Sequence, residues 1–272
     1  MRASHTVINL FFLSGTILLL IFIILSGSSH HFPLDRFYWL SADTSGIRNA
    51  PNKSAWTFWG VCEKNDFTSC TLGPAYPISP VDNFSTTNGV PQKFIDNRDS
   101  FYYLTRFSFA FTIVALCFSA LALIIDVLGF CFLVVDKVVI FLVTVGAFFL
   151  TAFAAFQTAT VVLAKNAFHD AGLDAHIGVK SMALLWAAVV CLGIVWLNTF
   201  SSNIANSYRK HIDRVNANKA AEAGIIEPGA ANDQSSFTRS TPAEEHKEED
   251  NSGGIRFFKI KRNHKTSDEE SV

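Results

Sequence analysis

Four long apolar runs without charge dominate this chain and leave few folds open to it. Residues 7–25, 107–125, 138–164 and 181–200 are each built almost wholly from aliphatic, aromatic and small residues. A helix needs roughly 20 such residues to cross about 30 Å of hydrocarbon at about 1.5 Å per residue. Half of all residues are hydrophobic, only 17% are charged, and there are 26 phenylalanines. The apolar residues come in blocks, which is the pattern of a membrane protein and not of a water-soluble core. A formal net charge of −1 gives no basic surface for nucleic acid.

The runs predict an all-α membrane protein, a bundle of four transmembrane helices. Its expected segments are an N-terminus over 1–6, spans at 7–25, 106–128, 138–164 and 181–203, and a first loop over 26–105. A turn at 129–137, a second loop at 165–180 and a tail over 204–272 complete them. The first run also precedes "SGSS", small residues of the kind a signal peptidase accepts. Its length exceeds the usual 7–15 residues of a signal core, which favours a retained span.

Orientation follows from the flanks. Arg209, Lys210 and Arg214 directly follow the fourth run and favour a cytoplasmic C-terminus. The sequons at Asn52 ("NKS") and Asn83 ("NFS") both fall in the first loop, as glycosylation on the outer side requires. Cys62 and Cys70 share that loop, where an oxidising compartment permits a bridge worth roughly 2–3 kcal/mol. An even number of spans then puts both termini in the cytoplasm.

The first loop holds six of the eight prolines, so long helices are excluded there. "FYWL" at 37–40 and "AWTFWGVC" at 55–62 have strand composition and predict a small sheet of two or three strands lying on the membrane. Trp56 and Trp59 are expected to pack between sheet and helices; an interfacial aromatic belt is the competing reading. Trp186 and Trp196 suit the belt.

On these residues the chain resembles the claudin-like tetraspans, whose first loop carries Gly–Leu–Trp–x–x–Cys and a second Cys shortly after. Trp59, Cys62 and Cys70 match, with Gly60 beside them, while Phe58 stands for the Leu and Thr57 for the Gly. Over residues 1–206 the chain is more similar to the fungal Sur-seven/PalI family, through "WTFWGVC", the Phe- and Ala-rich third span and the short loop "FHDAGLDAHIGVKS". The resemblance implies a glycosylated, disulfide-stapled plasma-membrane protein of eisosome-associated furrow domains, acting on wall integrity, sphingolipid content and endocytosis. Its partners would be membrane lipids, further copies and other furrow proteins. The PalI branch implies instead an accessory subunit in ambient-pH signalling.

Small and polar residues within and between the spans carry further expectations. Small residues recur at four-residue spacing in the third span (Ala147, Thr151, Ala155, Ala159) and the fourth (Ala183, Ala187, Cys191), and their first expected use is packing inside the bundle. Asp126 is expected near the inner end of the second span, meeting Lys137, and Gln157 to hydrogen-bond between helices. No proline interrupts a span, which disfavours a transporter. There is no G-x-S-x-G, Walker or H-E-x-x-H motif, so no enzyme and no cofactor is expected. His169, Asp170, Asp174 and His176 are read as a polar loop and not as a metal site.

In the tail, 228–251 is polar and predicts disorder. Arg256, Phe257, Phe258, Lys259, Lys261 and Arg262 then interleave base and aromatic, a pattern for docking on anionic inner-leaflet lipid. Phosphorylation of Ser267 would weaken that docking. Cys131 is a candidate for palmitoylation.

Overall fold

The computed structural model describes residues 2–28, 34–64, 66–128 and 135–222. The expectations for Cys131, the 228–251 segment, the basic–aromatic tail and Ser267 lie outside them. Helix α1 spans Arg2–Ile24, α4 Arg98–Leu128, α5 Val135–Asp170 and α6 Val179–Glu222, with short helices α2 (Pro80–Phe84) and α3 (Gln92–Asp96) in the first loop. Stretches of α1, α4, α5 and α6 are long and apolar enough to cross a membrane. All four helices run past or begin before the apolar runs; α4 starts well upstream of residue 107 and α6 continues far beyond residue 200. Backbone hydrogen bonding is internal to a helix, so it does not stop where the oil stops.

Packing inside the bundle follows a seven-residue period. On α4 the buried positions are Phe101, Thr105, Ser108, Thr112, Ala115, Ser119, Ala122 and Asp126, alternating steps of four and three. Helix α1 buries Asn9, Leu13, Thr16, Leu20 and Ile23 at the same alternation, and α6 buries Ser181, Leu185, Ala188, Leu192, Val195 and Thr199. A mean step of 3.5 keeps one seam facing the partner and gives left-handed packing. From Thr105 to Ala122 the seam of α4 is made of small side chains, which lets α5 approach closely where hydrophobicity supplies no drive.

Of the expected stripes, Ala147 packs against the core as expected and Cys191 is half-buried, but the other members face the other way. Thr151, Ala155 and Ala159 on α5, and Ala183 and Ala187 on α6, are exposed at the bundle surface. A strict four-residue step advances about 40° around the helix each time, given 3.6 residues per turn, and so leaves the seam. Gln157 is fully buried, but neither atom of its amide has a hydrogen-bond partner, contrary to the expected interhelical bond. Lys137 is exposed, and it is Asp136 that lines a cavity with Asp126.

The extramembrane sheet has five strands where two or three were expected. They are β1 (Leu40–Asp43), β2 (Lys53–Trp56), β3 (Gly60–Glu63), β4 (Asp66–Leu72) and β5 (Ala175–Ile177). The order is β4-β3-β2-β1-β5, antiparallel throughout. The aromatic run 55–62 is a hairpin and not a strand, because residues 57–59 turn. The second loop is more than a polar connection: β5 pairs with β1, so both loops share one sheet.

Candidate functional site: the tryptophan–cysteine hairpin

The hairpin between β2 and β3 is a tight turn closed twice, by the Thr57 N–H donating to the Gly60 carbonyl at 2.9 Å and by the Thr57 hydroxyl donating to the same oxygen at 3.1 Å. Gly60 is required by its neighbour: a Cβ there would lie 2.2 Å from the Thr71 carbonyl oxygen on β4. The tip is tied down by Gly73 N–H donating to the Trp59 carbonyl and Tyr76 N–H donating to that of Phe58.

Three aromatic rings from this hairpin then pack inward against the bundle and the loop. Phe58 is fully buried against Trp39, Phe109 and Phe153. Trp56, also fully buried, lies between Phe84 of the loop and Phe168 of α5. Its indole N–H donates to the Asn83 side-chain oxygen at 2.7 Å, and the Asn83 amide N–H donates on to the Pro77 carbonyl at 3.1 Å. Trp59 packs edge-on against Phe109, and its indole N–H donates to the Ile24 carbonyl at 2.5 Å. Ile24 is the last residue of α1, where carbonyls lack helical donors, so Trp59 caps the first span. Trp56 is thus an internal wedge and not part of an interfacial belt.

Cys62 and Cys70 face each other across β3 and β4 and form a disulfide, eight residues apart in sequence. Asp82 of α2 accepts from the Arg98 guanidinium (2.9 Å from Nε) and the Ser79 hydroxyl (2.6 Å). Burial pushes the Asp82 carboxyl up, but these two donors outweigh it and hold it below the ordinary value.

The two sequon asparagines differ in setting. Asn52 is exposed beside β2. Asn83 uses both ends of its amide in the fold, and its nitrogen, the atom a glycan would occupy, is committed to Pro77. In the second loop Asp170 is ion-paired with Lys93, and His169, Asp174 and His176 are exposed. Among the described residues, no three His, Cys, Asp or Glu side chains converge as a metal site. Sequence reasoning missed Asn83 as the partner of Trp56 and Phe58 as a fully buried plug; the sequon and the aromatic run masked both.

Four spans, a five-stranded sheet fed by both loops, a Trp that caps the first span and a β3–β4 disulfide define a claudin-like four-helix membrane protein. The chain belongs to the SUR7/PalI family, whose model matches residues 5–198. It is similar to Protein SUR7 of Candida albicans, with 62% identity over 275 residues covering all of both chains. It is also similar to Protein SUR7 of Saccharomyces cerevisiae, at 39% identity over 97% of this chain and 96% of that one. A more distant relative from the same yeast is named uncharacterized plasma membrane protein YNL194C, 33% identical over 68% of this chain and 64% of its own.

Proposed function

We propose that this chain is a structural protein of the plasma membrane that organises a microdomain by lateral self-assembly, with both termini cytoplasmic and the sheet outside. The observation that carries this reading is the outward direction of most of the small residues in these stripes: Ala155 and Ala159 on α5 and Ala183 and Ala187 on α6 are exposed on the outer surface of the helix bundle. Small side chains on a lipid-facing surface allow another helix to approach closely, and dispersion contact is what holds helices together there. The rigid, capped sheet above them keeps neighbouring copies in a fixed orientation. The relative named as a plasma membrane protein supports the location. The finer role is in furrow domains that affect wall integrity and sphingolipid content, alongside other proteins of those domains.

The test is photobleaching of a tagged chain in its native cell. The native chain should form immobile patches, and Ala155→Phe with Ala187→Phe should disperse them without lowering the melting temperature of the purified protein. Uniform, fast-recovering fluorescence of the native chain, with stoichiometric co-purification of a larger receptor, would instead favour the accessory-subunit role in pH signalling. The basic–aromatic segment around Arg256–Arg262 would add an inner-leaflet contact. In that case the full-length protein should lose binding to anionic vesicles several-fold when Lys259, Lys261 and Arg262 become Gln; equal binding to neutral vesicles would sink the idea.

A further inference from the structure

We propose that the end of the bundle opposite the sheet is a binding site for a hard cation, centred on Asp126. Asp126 is only 7% exposed, and its Oδ2 has no hydrogen-bond partner. The carboxylate lines a cavity of about 20 Å³ formed by α1, α4, α5 and α6, to which Asn9, Asp136, Thr199, Ser202 and Asn203 also contribute. That volume holds one water-sized particle.

The surroundings select what that particle is. The lining is rich in oxygen donors and holds two carboxylates. Lys137 is exposed and is not among the lining residues. His5 lines the cavity, with its Nδ1 engaged by the Asn198 side-chain oxygen at 2.7 Å. Asn9 donates to Thr199 at 3.1 Å, and Asn198 donates to Asn9 at 2.7 Å, so α1 and α6 are held together around the cavity before any ligand arrives. A buried carboxylate oxygen without a donor is costly. A neutral water would give it a hydrogen bond but leave the charge, whereas a cation answers both. Oxygen donors suit alkali and alkaline-earth ions and disfavour soft metals, which take thiolates. Mg²⁺ is disfavoured because it keeps several of its waters.

Because the site joins all four spanning helices, ion binding should show as stability of the whole bundle. This inference is independent of lateral assembly, since the cavity lies within one copy. The experiment uses the full-length protein in neutral-lipid nanodiscs. N-methyl-D-glucamine chloride is replaced by NaCl, KCl, MgCl₂ or CaCl₂ at constant ionic strength and constant pH. Melting should rise with at least one of Na⁺, K⁺ and Ca²⁺, by about 3 °C per tenfold concentration above its Kd, and less with Mg²⁺; a rise with Mg²⁺ alone overturns the site as described. Asp126→Asn, which keeps shape but removes the charge, should abolish the rise, while Ser202→Ala should weaken it several-fold. Equal melting in all five salts overturns the proposal, as does an undiminished rise in Asp126→Asn. If Asp126→Asn fails to fold, the native protein alone decides: a saturable, ion-selective rise that Ser202→Ala weakens supports the site, and any other result overturns it. Melting that follows pH but no cation also overturns it, because a proton then occupies Oδ2.

Discussion

Replacing Trp56 with alanine should destabilise the folded protein by about 3–5 kcal/mol, the range for emptying a large aromatic site in a core. Trp56 is fully buried between Phe84 and Phe168, so its removal opens a hole where sheet, loop and α5 meet. It also strands the Asn83 side-chain oxygen, which loses its 2.7 Å donor. Trp56→Phe separates the two effects, since it keeps most of the ring volume and loses the hydrogen bond, worth about 1 kcal/mol. Thermal unfolding in nanodiscs measures both variants. A loss below about 1 kcal/mol for the alanine variant would mean the indole sits at the lipid interface, as a belt residue does.

Removing the Cys62–Cys70 bridge, by changing both residues to alanine, should cost roughly 2–3 kcal/mol. The bridge joins directly opposed residues of β3 and β4, and β4 is an edge strand paired only with β3. Losing it frees β4 first, and with it the backbone that presses on Gly60. The expected signature is protease cleavage within β4 at temperatures where α4 and α5 remain intact, followed by a lower melting point. An unchanged cleavage pattern would show that ladder hydrogen bonds alone hold the edge.

The spans were plain in the sequence because length and lack of charge suffice to mark them. The directions of their faces were not. In a water-soluble helix the polar side marks the outside, but in lipid both sides are apolar and hydrophobicity carries no such sign. The signal that does carry it is period: Thr105, Ser108, Thr112, Ala115, Ser119 and Ala122 alternate steps of four and three and are buried. A constant step of four, as in Thr151, Ala155 and Ala159, goes outward.

The hairpin was legible in part. Its tryptophans and cysteines stand out by cost and compartment, but the turn at 57–59 lies inside an aromatic run and carries one small residue, Gly60, just past it. Strand β5 has three residues, too few for alternation to register, and exists because β1 offers it an edge. Asp126 was found by its charge alone. Its setting depends on four helices meeting, and that is a property of the fold and not of any local stretch.

Helix α6 runs for 44 residues, about 66 Å at 1.5 Å per residue and so twice the thickness of the hydrocarbon. Its far half is polar, and residues 207–219 are exposed. A free helix as short as that exposed stretch is marginal in water because its first turn is so unfavourable to form. Here the bilayer has already formed that turn: the apolar half is the nucleus, and each polar residue that follows needs only to propagate it. The aqueous rod is thus an extension grown from lipid, propagated by good helix formers such as Lys219, Ala220 and Ala221 and not by anything it packs against, since residues 207–219 are exposed.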